Sequence, residues 1–123
     1  MQKSIIKEKS YYFALQVIEL YRKLLKQNEY VLSKQLLRSA TSIGANVEEA
    51  LAGQSRADFL SKMSIASKEA RESNYWLRLL RASQVIGQSE VEPLLKESEA
   101  IVNVLTAIVK TTGTNKNNAK LKT

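Results

Sequence analysis

Hydrophobic residues recur every three or four positions in four separate segments of this chain. The segments run from about residue 4 to 27, 33 to 53, 55 to 85 and 89 to 113. This spacing places apolar side chains on one face of an α-helix. Short polar breaks separate the segments, and no stretch alternates as a half-buried strand does. The pattern predicts an all-α protein folded as an antiparallel, up-down-up-down four-helix bundle.

Residues that favour helix ends mark the predicted boundaries. Ser33 is expected to cap the second helix, and Ser55 forms a capping box with Asp58 at the start of the third. Three helices are expected to end at glycines: Gly53, Gly87 and Gly113. The lysine-rich polar remainder has a composition typical of disorder. We therefore predict a bundle domain over residues 1–113 and a basic, disordered tail over 114–123.

The third segment has a seam with the spacing of a heptad repeat. Its members are Phe59, Met63, Ala66, Ala70, Ser73, Leu77 and Leu80. A mean spacing of 3.5 residues indicates packing against a neighbouring helix at roughly 20°. Because the middle of the seam is built from alanine and serine, we expect a neighbouring helix to approach it closely.

The second segment carries a polar stripe beside its apolar stripe. The apolar stripe consists of Leu36, Ala40, Ile43, Val47 and Ala50. The polar stripe consists of Gln35, Arg38, Ser42, Asn46 and Glu49. Serine, threonine, glycine and asparagine are poor helix formers, so their concentration here has an energetic cost. That cost predicts a second packed interface, polar and closely approached, that also includes Ser39.

Antiparallel packing of the second and third helices would bring this stripe to charged residues of the third. We expect Arg38, Ser42, Asn46 and Glu49 to form a network with Glu69 or Glu72, in a seam that also contains Tyr75 and Trp76. The stripe would then fix helix register or a subunit contact.

The alternative is an active site built on paired carboxylates, such as Glu69 with Glu72 or Glu48 with Glu49. The chain has no histidine and no cysteine, which excludes Ser–His and Cys–His catalysis and argues strongly against zinc and iron–sulfur sites. A magnesium site made of carboxylates alone has no characteristic spacing here. We therefore predict no enzyme activity, no catalytic residue, no metal and no cofactor.

The chain is basic, with a net charge of +7 at pH 7 and an isoelectric point near 9.7. A basic surface attracts polyanions, above all nucleic acid. The candidate phosphate contacts are Arg22, Lys23, Lys26, Arg71, Arg78, Arg81, Lys116, Lys120 and Lys122. Tyr75 and Trp76 are candidates for stacking on bases. The alternatives are a solvated basic face for the cations and a core or subunit contact for Trp76.

The chain shows neither an apolar run long enough to span a bilayer nor the features of a signal peptide. We expect a cytoplasmic protein without a membrane partner.

The sequence from Tyr30 to Ala50, which contains Arg38-Ser-x-x-Ser42-Ile-Gly-Ala-Asn46, resembles a family of bacterial four-helix-bundle proteins. The segments Ser55-x-x-Asp-Phe59, Ala66-x-Lys-Glu-Ala-Arg-Glu72 and Tyr75-Trp-Leu77 carry the same resemblance. The family is named for proteins encoded in intervening sequences of 23S ribosomal RNA genes. The resemblance extends from the first helix to about Thr112.

This resemblance implies a homopentameric ring of antiparallel four-helix bundles. A related branch comprises accessory proteins of diversity-generating retroelements, which are basic pentamers that bind nucleic acid and a reverse transcriptase. We therefore expect a non-enzymatic, homopentameric scaffold that binds RNA or DNA through basic surfaces. The alternative is a structural module that docks on a protein partner, such as a reverse transcriptase, without binding nucleic acid itself.

Overall fold

Four α-helices make up the computed structural model, which describes the backbone of residues 2–122 and the side chains of residues 5–114. The helices are α1 (Gln2–Lys26), α2 (Val31–Leu51), α3 (Arg56–Ala82) and α4 (Gln88–Lys122). Within the described backbone no strand forms. The predicted all-α class with four helices is confirmed.

Helices that follow one another in the chain are neighbours in space. The most extensive contacts join α2 to α3 and α3 to α4, followed by those that join α1 to α2. The contact between α1 and α4 is the smallest of the four. Over the described residues α1 does not contact α3, and α2 does not contact α4. The helices therefore occupy the four corners of a bundle, with α1 and α3 on one diagonal.

The core consists of the apolar faces that the sequence pattern predicts. All five members of the apolar stripe of α2 are buried, with at most 2% of any residue exposed. In α3 the predicted seam is buried from Met63 to Leu80, and Phe59 at its start is half-buried. Phe13, Ile101 and Leu105 contribute large buried side chains from α1 and α4. Burial of these faces supplies the main driving force for folding.

The start of α2 differs from the prediction. The carboxylate of Glu29, not Ser33, caps the helix, because its oxygens accept hydrogen bonds from the backbone N–H groups of Leu32 at 2.9 Å and Ser33 at 2.7 Å. Partial burial raises the pKa of Glu29, but these backbone hydrogen bonds outweigh it and hold the pKa below its ordinary value. Ser33 is buried within the first turn and donates its hydroxyl to the carbonyl of Glu29 at 2.7 Å.

Helix α3 begins at the predicted N-cap, Ser55, but in the described structure only one of the two hydrogen bonds of a capping box forms. Ser55 has the extended backbone of an N-cap residue, and its side chain accepts a hydrogen bond from the N–H of Asp58 at 3.0 Å. The carboxylate of Asp58 lies in the first turn, where the helix dipole favours a negative charge.

Of the three helix ends predicted at glycines, only that of α2 lies beside its glycine: the helix ends at Leu51, Ala52 is its C-cap and Gly53 follows. No described glycine has a positive φ; the residues in the left-handed region are Asn28, with φ of 64°, and Gln84, with φ of 59°. Helix α3 accordingly ends at Ala82, three residues before the predicted Val85. Gly113 lies inside α4 and does not end it. A glycine ends a helix when it adopts the left-handed conformation, which Gly113 does not.

The predicted division into a domain of residues 1–113 and a tail of 114–123 stays a prediction. The three lysines of the predicted tail, Lys116, Lys120 and Lys122, lie outside the residues whose side chains the structure describes.

None of the helices in the described part of the chain combines the length and the apolar character that a membrane crossing requires.

Candidate interaction surfaces

The polar stripe of α2 lies along its contact with α3. Ser39 is buried, Gln35, Ser42 and Asn46 are half-buried, and Arg38 and Glu49 remain exposed. From α3, Glu69, Glu72 and Trp76 are half-buried and Tyr75 is exposed.

A buried pair of hydroxyls joins the two helices at the centre of this seam. The Oγ atoms of Ser39 and Ser73 lie 2.9 Å apart. The Ser39 hydroxyl also lies 3.2 Å from the carbonyl of Leu36, and the Ser73 hydroxyl lies 3.0 Å from that of Glu69. Whichever serine donates across the interface, the other donates to its own helix. Both protons are therefore satisfied, which removes the cost of burying the two hydroxyls.

The other small polar residues of α2 bond within their own helix. Ser42 donates its hydroxyl to the carbonyl of Arg38 at 2.8 Å, and Asn46 donates its amide to the carbonyl of Ser42 at 2.8 Å. Thr41 donates to the carbonyl of Leu37, also at 2.8 Å. Such bonds satisfy the side chains without a partner helix. The poor helix formers therefore do not by themselves require the second interface that the sequence predicted.

The predicted network across α2 and α3 is wrong in its partners: in the described structure none of its four α2 residues forms a hydrogen bond or an ion pair with Glu69 or Glu72. Glu49 reaches α3, but its carboxylate lies 3.5 Å from the ammonium of Lys62 and not beside Glu69 or Glu72. Arg38 forms no ion pair within the described side chains, although its charge acts on Glu69.

Glu69 and Glu72 form a pair of carboxylates on the same side of α3. Partial burial and the neighbouring carboxylate of Glu72 raise the pKa of Glu69, while the charges of Lys68 and Arg38 partly offset this rise. No group of three carboxylates that could hold a metal ion occurs among the described residues.

The adjacent aromatic residues of α3 have different surroundings. The indole of Trp76 packs against the core, whereas Tyr75 is 46% exposed. The two rings meet edge to face, with their centroids 5.1 Å apart. The Nε1 atom of Trp76 is buried and has no hydrogen-bond partner among the described residues. Trp76 is therefore largely a packing residue, and Tyr75 is the ring that solvent or a ligand can reach.

The three candidate arginines of α3 do not form one uniform strip. Arg81 is neutralised by Glu92, with 2.8 Å between its Nη1 atom and the carboxylate. Arg71 donates to the hydroxyl of Thr106 at 2.9 Å, and Arg78 donates to the amide oxygen of Asn74 at 2.9 Å. These two partners are neutral, so the charges of Arg71 and Arg78 remain uncompensated by an ion pair in the described structure.

Arg71 and Arg78 line the same open groove of about 450 Å³ between α3 and α4. The guanidinium of Arg78 lies 5.7 Å from the centre of the Tyr75 ring, within range of a cation–π contact. Glu99 lies on the same groove and lowers its positive charge.

A second basic cluster lies at the end of α1. Arg22, Lys23 and Lys26 are all exposed. Lys23 and Lys26 lie in the last turn, where the helix dipole favours positive charge. This position gives them a structural role in addition to their candidate role in binding.

Sequence reasoning missed the outer face of α1. Ile5, Tyr12 and Leu15 are 48%, 62% and 44% exposed. They line an open groove of about 900 Å³, which Glu97 of α4 borders. Lys9 joins the two helices there, with its ammonium 3.2 Å from the Glu97 carboxylate. The spacing of three and four residues between Tyr12, Leu15 and Glu19 was the signal in the sequence that could have revealed this face.

Comparisons with known proteins agree with this fold. The family of 23S rRNA-intervening sequence proteins matches residues 2–107. A solved structure from Bacteroides thetaiotaomicron, described as a protein of unknown function from the S23 ribosomal protein family, is 46% identical. The match covers 89% of this chain and 99% of that one, with a TM-score of 0.86. No curated protein matches this chain.

Proposed function

We propose that this chain, which belongs to the 23S rRNA-intervening sequence protein family, is a non-enzymatic, self-assembling helical bundle that binds RNA or DNA. The observation that carries the proposal is the pair of exposed arginines, Arg71 and Arg78, in the groove between α3 and α4. Their hydrogen bonds to neutral side chains hold the guanidinium groups in place and leave the charges available to phosphates.

Within each copy, the helices run up-down-up-down. Pairs of residues that bond across α3 and α4 support this arrangement, because a later position on α3 meets an earlier one on α4. Arg71 bonds to Thr106, and Arg81 bonds to Glu92. The pairs Ser39 with Ser73 and Glu49 with Lys62 follow the same reversed order between α2 and α3.

Several copies form a ring, and the family resemblance supports five. Each subunit contributes a formal charge of +7, so weak phosphate contacts add through multivalency. Light scattering checks this assembly: the ring predicts the mass of five 13.8 kDa chains, and the mass of a single chain at all concentrations contradicts it.

Nucleic-acid binding is tested by the retention of labelled RNA and DNA across a salt series. The variant Arg71→Gln/Arg78→Gln should weaken binding and reduce the slope of log affinity against log salt, by about 0.7 to 0.9 for each phosphate that it no longer neutralises. The matched control is Arg56→Gln/Arg81→Gln, which removes the same charge from exposed positions of the same helix and should change the slope less.

Failure to retain either nucleic acid at low salt contradicts the nucleic-acid proposal. That result would favour the second candidate function, a module that docks on a protein partner such as a reverse transcriptase. Two exposed apolar side chains at the start of α2, Tyr30 and Val31, support this candidate. Equal slopes for the variant and its control would show that Arg71 and Arg78 are not the phosphate contacts.

A further inference from the structure

The residues on the outer face of α1 recur with the spacing of a face that packs against another helix. Nothing in the described part of the chain covers this face. Five residues recur at intervals of three and four: Ile5, Glu8, Tyr12, Leu15 and Glu19. We call them the α1 stripe. All five line the open groove of about 900 Å³. A mean spacing of 3.5 residues lets one helix pack along another over several turns.

A stripe with the same spacing lies on the outer face of α3. Its members, which we call the α3 stripe, are Ile65, Lys68, Glu72, Tyr75 and Leu79. Ile65 is 39% exposed and Tyr75 is 46% exposed. Lys68 is exposed, whereas Glu72 and Leu79 are half-buried. Like the α1 stripe, it combines apolar side chains with charged ones.

The two stripes cannot meet within one chain. Over the described residues α1 and α3 do not contact each other, because they lie on one diagonal of the bundle. Their outer faces therefore point away from each other. A contact between two unlike faces of identical subunits is heterologous, and repetition of such a contact closes a ring when the rotation allows it.

In one parallel register the two stripes carry complementary side chains at four of their five positions, and the fifth places Glu19 opposite Leu79. When Ile5 is placed opposite Ile65, Glu8 falls opposite Lys68 and Tyr12 falls opposite Glu72. The ion pair and the phenol–carboxylate pair fix the register, and Leu15 then covers Tyr75. In the described structure neither Glu8 nor Lys68 forms an ion pair.

We infer that the α1 stripe of one copy packs in parallel on the α3 stripe of a second copy, with Glu8 opposite Lys68 and Tyr12 opposite Glu72. This inference rests on the proposed self-assembly of the bundle. The helices α1 and α3 run in the same direction in an up-down-up-down bundle. When the symmetry axis of the ring is parallel to the helices, rotation about it leaves the direction of every helix unchanged. The α1 helix of one copy and the α3 helix of the next therefore pack in parallel.

The charges of the α1 stripe favour the α3 stripe of a second copy over nucleic acid or a membrane. The carboxylates of Glu8 and Glu19 repel the phosphates of nucleic acid and the headgroups of an anionic membrane. They attract the exposed ammonium of Lys68 on a second copy. Of the two cations that line the same groove, Lys9 is paired with Glu97, and Arg22 lies beyond the last residue of the stripe.

The test is a charge reversal measured by light scattering across a protein concentration series. Each single variant, Glu8→Lys or Lys68→Glu, places like charges opposite each other and should raise the concentration for half-assembly by about tenfold or more. The double variant Glu8→Lys/Lys68→Glu restores opposite charges and should recover most of the assembly. Both positions are exposed, so circular dichroism should show unchanged helix content.

The control is Lys34→Glu, which makes the same charge change at an exposed position of α2 outside both stripes and should leave assembly unchanged. A wild-type protein that stays monomeric would overturn the proposed self-assembly itself. Wild-type assembly that neither single variant weakens would overturn this interface alone. Weakening by both single variants without recovery in the double variant would overturn the parallel register.

Discussion

The contacts of α2 with α3 and of α1 with α4 occupy opposite sides of the bundle and differ in how closely they are packed. The buried faces of α2 and α3 include small residues: Ser39 and Ser73 meet across the contact, and Ala66 lies two helical turns before Ser73 on the same face of α3. Between α1 and α4 the contact is the smallest in the bundle. There, an ion pair between Lys9 and Glu97 borders an open groove of about 900 Å³.

The contact whose buried residues include small ones is the more extensive of the two. Small residues let the axes of α2 and α3 approach, and the hydroxyl pair of Ser39 and Ser73 fits in the space between them. The buried side chains of α1 and α4 are mostly large, such as Phe13 and Ile101. We expect the first contact to tolerate no added volume and the second to tolerate it easily.

The largest expected effect comes from adding volume to the close contact. Ala66→Leu should lower the free energy of unfolding by about 1–3 kcal/mol, because Ala66 is fully buried and the helices must move apart. Gln16→Leu, on the open groove of α1, should change it by no more than about 0.5 kcal/mol. Denaturant unfolding measures both values. Equal destabilisation by the two variants would contradict the comparison.

A smaller effect is expected at the hydroxyl pair. Ser39→Ala should cost about 0.5–1.5 kcal/mol, because Ser73 retains the carbonyl of Glu69 as its acceptor. Ser73→Ala should cost a similar amount, because Ser39 retains the carbonyl of Leu36. In a double-mutant cycle the two costs should not add, since either variant breaks the same bond. Additive costs would show that the cross-helix bond contributes no stability of its own.

The smallest effect is expected at the ion pair between α1 and α4. The side chains of Lys9 and Glu97 are 35% and 32% exposed. Water and salt therefore screen the pair, and Lys9→Met or Glu97→Gln should lower the free energy of unfolding by about 1 kcal/mol or less. The effect should shrink further at high salt. A loss above about 2 kcal/mol in thermal or denaturant unfolding would show that the ion pair, and not the core, holds these helices together.

The sequence was sufficient to predict the helices and their buried faces, because helical periodicity depends on spacing alone. The stripe from Leu36 to Ala50 and the seam from Met63 to Leu80 are buried as predicted. The ends of the helices were harder to predict. Glu29 caps α2 because its longer side chain reaches two backbone amides, and Gln84 adopts a conformation that glycine was expected to supply.

The candidate surfaces depend on interactions between distant parts of the chain, which spacing alone does not determine. The sequence predicted that Arg71, Arg78 and Arg81 would be equivalent phosphate contacts. Arg81 differs from the other two, because the turn from α3 to α4 brings Glu92 to it. Glu49 pairs with Lys62 and not with Glu69 or Glu72. Core packing sets how far α2 is shifted along α3, and this shift decides which residues face each other. The α1 stripe was overlooked because Glu8 and Glu19 interrupt its apolar residues.

The position of Trp76 makes the molecule its own optical probe. It is the chain's only tryptophan, and its half-buried indole lies beside Tyr75 at the edge of the α3 stripe. Indole emission moves to shorter wavelength when water leaves the ring. Emission from this protein therefore reports on the side of the bundle where the α3 stripe lies, without an attached dye.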